Sequence, residues 1–207
     1  GAACGKKVMT SSSSPGVSLK QEGISYIAAA ELPCLILNVM RGGPGLGTIQ
    51  PSQADYFQSV KGGGHGDYHM IVLAPSTVQE MADFVDLGYE LAFKYRNPVL
   101  MLSDGVIGQM MEKVVLPPYK PRRTMEEVIA QCPWATTGKV GRPHNIITSL
   151  ALESEVMEAT NIRLQAKYRE IEENEVRFEE YMLDDAEYVF VAFGSSARIC
   201  KQAVEYA

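Results

Sequence analysis

Leu35-Ile36-Leu37-Asn38-Val39-Met40-Arg41-Gly42-Gly43-Pro44-Gly45-Leu46-Gly47 is the stretch whose reading decides the fold. A short apolar run of this kind, Leu35 to Met40, reads as a strand buried in a parallel sheet. It is followed at once by an arginine and a loop made mostly of glycine. A guanidinium is permanently charged and presents a planar fork suited to a carboxylate or phosphate. Glycines without Cβ atoms let backbone amides approach a ligand closely. The stretch therefore admits two readings: an anion held at the carboxyl end of a strand, or a tight surface turn with a solvated arginine.

The chain has 207 residues, 46% hydrophobic and 21% charged, with a formal net charge of -6. That is ordinary globular composition, enough for one good core or a core plus part of a second. The acidic balance leaves no basic footprint for nucleic acid or anionic lipid. No apolar run approaches the ~20 residues that span a bilayer. Cys4, Cys34, Cys132 and Cys200 lie far apart without a Cys-x-x-Cys pair, which argues against a metal or iron–sulfur site in this chain. They read as small core residues in a reducing compartment, with the cytoplasm as the default. Both ends read as cut: Gly1 to Gly5 resembles a final helical turn closed by glycine, and Ala207 falls inside a helix begun near Ser196. A longer polypeptide is expected.

Strands and helices then alternate. Lys7-Val8-Met9 reads as a strand, followed by Thr10-Ser11-Ser12-Ser13-Ser14-Pro15-Gly16, with Ser14 as cap and Pro15 at the first position of a helix to Leu32. After the Arg41 loop come a short helix over 51–60, a second glycine-rich loop (Lys61 to Asp67) and a strand over 70–73. Ser76 is expected to cap a helix ending at Arg96, before Asn97-Pro98. The next strand, Val99 to Leu102, delivers Asp104-Gly105. This alternation predicts an α/β fold, a parallel sheet with helices on both faces. Its strand-to-helix loops should share one rim, where such sheets bind ligands. The serine run, Arg41, His65-Gly66-Asp67, Pro75-Ser76 and Asp104-Gly105 are assigned there.

Beyond Val115 the chain changes character, with a proline- and glycine-rich connector wrapped over a surface around Trp134. A charged helix is expected over 153–182, its stripe formed by Met157, Leu164, Ile171 and Phe178, with Tyr168 and Met182 between. Glu173 and Arg177 have the i,i+4 spacing of an ion pair. Tyr188 to Phe193 reads as a strand opening a second α/β unit.

No nucleophile–base pair stands out, and neither nucleotide glycine signature fits the loops. Serines 11–14 suit capping or polar ligand contact better than attack. His65 beside Asp67 reads either as an acid–base pair or as a histidine satisfied by a carboxylate. Such a rim positions a cofactor that carries the chemistry.

The motifs Thr10-Ser11-Ser12-Ser13-Ser14-Pro15-Gly16, Arg41-Gly42-Gly43-Pro44, His65-Gly66 and the long helix leading into Ala192-Phe193-Gly194-Ser195-Ser196-Ala197-Arg198 occur in the order of one family. The chain resembles the pyrimidine-binding (alpha-type) subunit of the thiamine-diphosphate-dependent 2-oxoacid:ferredoxin oxidoreductases. The resemblance implies a pyrimidine-binding domain over 1–115, a connector and long helix over 116–185, and over 186–207 the start of a transketolase C-terminal-like domain. It implies that the coenzyme's thiazolium carbon attacks the 2-oxo carbon and carbon dioxide leaves. Two electrons then pass singly to iron–sulfur clusters, and coenzyme A takes the acyl group. A beta-type subunit would hold the diphosphate and magnesium, and gamma-type and ferredoxin-like delta-type subunits would complete the assembly, with ferredoxin as acceptor. Alone, the chain is expected to be inactive. The resemblance also implies a glutamate that activates the coenzyme; it would precede Gly1, so no residue here is assigned that role.

Carried over by position, Arg41 would hold the substrate carboxylate, with Gly42, Gly43 and Leu46 around it. Thr10, Ser11, Ser12, Ser13, Ser14 and Gly16 would line the floor near the aminopyrimidine. Relatives acting on 2-oxoglutarate read Arg-Gly-Gly-Pro-Ser-Thr-Gly, whereas this chain has Gly45-Leu46. Leucine offers no partner for a distal carboxylate, and burying that charge unpaired is costly. The expected substrate is therefore 3-methyl-2-oxobutanoate (2-oxoisovalerate). The alternatives are a 2-oxoglutarate enzyme, another thiamine-dependent enzyme, a docking subunit without catalytic residues, or a flavodoxin-like binder.

Overall fold

The computed structural model describes residues 1–207. In chain order the elements are β1 (Met9–Ser12), α1 (Pro15–Ala29), β2 (Cys34–Met40), α2 (Tyr56–Val60), β3 (Ile71–Leu73) and α3 (Val78–Tyr95). They continue as β4 (Pro98–Asp104), α4 (Gly105–Gln109), α5 (Met125–Gln131), α6 (Ser154–Glu175) and α7 (Gly194–Tyr206). The four strands are all parallel, in the order β1-β2-β4-β3. No helix is long and apolar enough to cross a membrane.

β2 and β4 are the continuous apolar runs of the sequence because both of their faces are covered. Ile24 and Ala28 of α1 pack with Ile36, Met40, Leu100 and Leu102 on one face. Leu91, Ala92 and Tyr95 of α3 pack with Leu35, Val99 and Ile71 on the other. Alternate residues of one strand thus enter two separate cores, as the period of two requires. Gly88 of α3 touches the sheet so closely that a Cβ there would lie 2.7 Å from Leu35 Cδ1. Cys34 and Cys132 are buried as expected, whereas Cys4 is exposed and Cys200 half-buried; burial pushes the Cys34 thiol up.

Several boundaries differ from expectation. β1 begins at Met9 and takes in the hydroxyl residues Thr10 to Ser12, which pair with Ile36 to Asn38. Thr77, rather than Ser76, caps α3 by accepting from the Glu80 amide, while Glu80 reaches back to the Ser76 amide. α5 was not foreseen among the prolines, although Thr124 and Glu127 form a full capping box. It buries Val128 and closes over Gly5. α6 stops at Glu175, so Arg177 lies beyond the helix and pairs with Glu175 at 3.1 Å instead of Glu173. Of its stripe, Leu164 and Tyr168 are buried and Ile171 packs on the α3 core, but Phe178 and Met182 are exposed. Tyr188 to Val191 form no strand and lie exposed, because no other strand stands beside them to complete a ladder.

α6 is fastened across the amino edge of the sheet by polar contacts. Glu31, at the end of α1, accepts from Arg163 at 2.7 Å and from Lys167 at 3.2 Å. Tyr168 stacks on His69 with ring centroids 4.9 Å apart, and Glu175 accepts from Lys94 and Tyr95. Burial pushes the Glu31 carboxyl up, but Lys167 and Arg163 together hold it below the ordinary value. A depressed carboxylate contributes stability that is present above its unfolded pKa, ~4.3, and is lost as pH falls through the lower folded value. Glu31→Gln is therefore expected to lower the unfolding midpoint at pH 7, and the deficit relative to wild type should shrink at pH 3. Midpoints of the two proteins measured at both pH values test this.

Candidate active site

Because β2 and β4 end in step, Met40 stands opposite Asp104 and the two carboxyl ends form one rim. Arg41 is the first residue past β2. Its loop returns at once, with Arg41 bridging Pro51, the Gly42 amide donating to Gln50 O at 3.0 Å, and the Thr48 amide donating to Gly42 O at 2.8 Å. Gly47 has φ +60°, and a Cβ there would lie 1.8 Å from Gly42 O, so only glycine closes the loop.

The Arg41 side chain turns toward the hydroxyl-rich segment. Nε donates to Ser14 Oγ at 2.6 Å and Nη2 to Leu46 O at 3.1 Å. Ser14 was expected to cap α1, but its hydroxyl makes no cap bond and accepts from the arginine instead. The two ends of the proposed site thus meet, and Nη1 is left without a partner in the chain. Leu46 is 80% exposed beside this fork, and Gly42 and Gly43 lead from Arg41 into the loop, whose turn is at Gly45-Leu46. Thr10 accepts from Lys20 Nζ at 2.7 Å, and Ser11 O accepts from the same ammonium at 2.6 Å. Ser12 and Ser13 are half-buried between Thr10 and Ser14. Gly16 sits so close to β1 that a Cβ would lie 2.2 Å from Ser12 Oγ.

His65 and Asp67 do not join this cluster. Their loop leads from a helix into β3, so it is drawn toward the amino edge rather than the rim. Ser25 Oγ of α1 donates to His65 O at 2.7 Å, and Cβ atoms on Gly63 or Gly64 would strike Gln21 within 3.0 Å. The glycines serve close packing on α1. A groove of about 940 Å³ lined by Lys6, Lys7, Tyr89, Phe93, Arg123 and Trp134 likewise opens at the amino edge, away from Arg41.

Sequence reasoning missed the partners that hold the rim together. Asn38, fully buried, donates to Asp55 Oδ2 at 2.9 Å, and its own Oδ1 has no partner. Asp104 lies on the rim as assigned, and its two carboxylate oxygens divide their work. Oδ1 caps α4, accepting from the Val106 and Ile107 amides. Oδ2 accepts from Ser195 Oγ at 2.6 Å and fastens α7 to the rim. Asn38 was visible as a polar residue inside an apolar run; its partner was not.

Over residues 1–182 the chain matches the family described as pyruvate flavodoxin/ferredoxin oxidoreductase, thiamine diP-bdg. The chain belongs to this family. Among its relatives, ketoisovalerate oxidoreductase subunit VorB of Methanothermobacter thermautotrophicus is 54% identical, over 100% of this chain and 57% of that protein. The 2-oxoglutarate synthase subunit KorA of Methanocaldococcus jannaschii is 37% identical, over 97% of this chain and 59% of that protein. The solved structure of 2-oxoglutarate:ferredoxin oxidoreductase from Magnetococcus marinus, with 2-oxoglutarate, coenzyme A and succinyl-CoA bound, superposes with a TM-score of 0.76 at 25% identity. That likeness covers 99% of this chain and 40% of the solved one. The chain thus spans little more than half the length of the curated relatives it matches, and the fold expected from the resemblance is the one observed.

Asp104 is 1% exposed and has no cationic partner, so its donors are what make burial tolerable. Asp104→Ala removes a helix cap and leaves Ser195 unpaired, which should cost about 2 kcal/mol or more. Denaturant unfolding at pH 7 measures this; a loss under 0.5 kcal/mol, the ordinary range of a surface change, contradicts it.

Proposed function

We propose that this chain is the pyrimidine-binding part of an oxidoreductase that oxidatively decarboxylates 3-methyl-2-oxobutanoate to its acyl-CoA, with ferredoxin as acceptor. The observation that carries the reading is the Arg41 fork turned onto Ser14 at the open end of β2. The likeness to the ketoisovalerate subunit, 54% against 37% for the 2-oxoglutarate subunit, favours the branched-chain acid. Partner subunits of beta, gamma and delta type supply the diphosphate and magnesium site and the iron–sulfur clusters.

The residues present fit the pyrimidine half of thiamine diphosphate. Ser12, Ser13 and Ser14 form a half-buried, uncharged hydroxyl surface suited to a neutral polar heterocycle. When bound, the coenzyme supplies the carbon nucleophile and the electron sink for decarboxylation. Ser12 and Ser13 would hold its ring, and Lys20, bonded to Thr10 and Ser11, stiffens the strand beneath them. Arg41 binds the substrate carboxylate. By fixing that group it aligns the bond to be broken, a contribution made by orientation rather than by proton transfer. Leu46, exposed beside the fork, would offer apolar surface to a branched alkyl tail and no partner for a second carboxylate.

In the assembled enzyme, Arg41→Ala should lower kcat/KM for the 2-oxo acid roughly 100-fold, the scale of a misaligned substrate. Unchanged turnover with intact assembly would support the docking-subunit alternative. Leu46→Thr should raise the ratio of kcat/KM for 2-oxoglutarate over the branched acid; an unchanged ratio counts against the substrate assignment.

A further inference from the structure

The Arg41 loop leaves β2, folds on itself and is secured at its far end by Gln53, just past the Arg41–Pro51 bridge. Gln53 Nε2 donates to Phe193 O at 2.7 Å, and Gln53 Oε1 accepts from Ser196 Oγ at 2.8 Å. Both partners belong to the first turn of α7, some 140 residues later in the chain. A primary amide donates and accepts at once, so a single side chain can fix a carbonyl and a hydroxyl that lie side by side. The fit is close. Gly194 has φ +58°, and a Cβ on it would lie 3.0 Å from Gln53 Nε2 and 3.4 Å from Asp104 Oδ2. Tyr56 packs its ring on Phe193 with centroids 5.5 Å apart.

The α7 turn is itself anchored to the sheet through Asp104, whose Oδ2 takes Ser195 Oγ at 2.6 Å. An unbroken path therefore runs from β4 through Asp104, Ser195 and Ser196 to Gln53. From there it passes along the bridge at Pro51 to Arg41. The amide bonds that close the loop, Gly42 to Gln50 and Thr48 to Gly42, lie between Gln53 and the arginine. The loop is otherwise exposed from Gly43 to Pro51 and has no core side chain to hold it. Short exposed segments with few buried contacts open locally at low free-energy cost. Leu46, whose carbonyl takes Arg41 Nη2, belongs to this exposed loop, and Gln53 is what fastens the loop's far end.

We propose that Gln53 is a positioning residue that ties the Arg41 loop to α7 and so sets the guanidinium for a 2-oxo acid carboxylate. The assignment of a 2-oxo acid rests on the function proposed above; the mechanical link does not. In this role Gln53 acts through Arg41, its own amide being engaged by Phe193 and Ser196.

The test uses the assembled enzyme with the full-length chain. Amide hydrogen exchange of residues 42–50 is measured without substrate, and KM and kcat with the 2-oxo acid. Gln53→Ala should speed exchange at Gly42 and Thr48 and raise KM about tenfold, with kcat changed less. That is a milder misplacement than outright loss of the arginine. Arg198→Ala removes a different α7 anchor, the ion pair to Glu112 at 2.6 Å, and should leave exchange at 42–50 as in the wild type. Wild-type exchange in Gln53→Ala, or equal acceleration in Arg198→Ala, overturns the proposal. Faster exchange in Gln53→Ala while Arg41→Ala stays fully active would uphold the link and overturn the assigned reaction instead.

Discussion

Parallel pairing of β2 with β4 is the constraint on which the rest of the structure depends. Seven successive partners, from Cys34 with Pro98 to Met40 with Asp104, bring both strands to an end at one edge. Both faces of each strand are buried, so a slip of one residue would exchange the side chains of two different cores. Register is therefore strongly specified, and with it the adjacency of Arg41 and Asp104. The two charges are treated in opposite ways. Asp104 is sealed and fully engaged by hydrogen bonds from the protein's own donors. Arg41 donates to two neutral acceptors, a hydroxyl and a carbonyl, meets no carboxylate, and retains a nitrogen without a partner. A site that must accept an incoming anion needs such a reserve; a structural ion pair would have consumed it.

Much of this was legible in the sequence because it follows from local chemistry. The strands β2 and β4, the proline-led start of α1 and the rim position of Arg41 all come from runs, breakers and the geometry of parallel sheets. Glycine density was less informative. Around Gly42 to Gly47 it does permit a tight loop, but at Gly63 and Gly64 it permits packing against Gln21, and His65 is carried away from the rim. α5 bore a readable signature in Thr124-x-x-Glu127 that the neighbouring prolines obscured.

What was not legible joins distant parts of the chain. Asp104 meets Ser195 across 91 residues and Gln53 meets Phe193 across 140. Nothing in the immediate neighbourhood of either residue announces the other. The charged helix shows the same limit: its stripe located the buried face at Leu164 and Tyr168, while its end at Glu175 is set by contacts with Lys94 and Tyr95.

The proposed function requires a carboxylate to take up the fork of Arg41. A structure of the assembled enzyme with 3-methyl-2-oxobutanoate bound tests it most directly. The predicted result is the substrate carboxylate within about 2.9 Å of two guanidinium nitrogens, the geometry of a bidentate pair. A substrate seated elsewhere, with Arg41 still bonded only to Ser14 and Leu46, would contradict it.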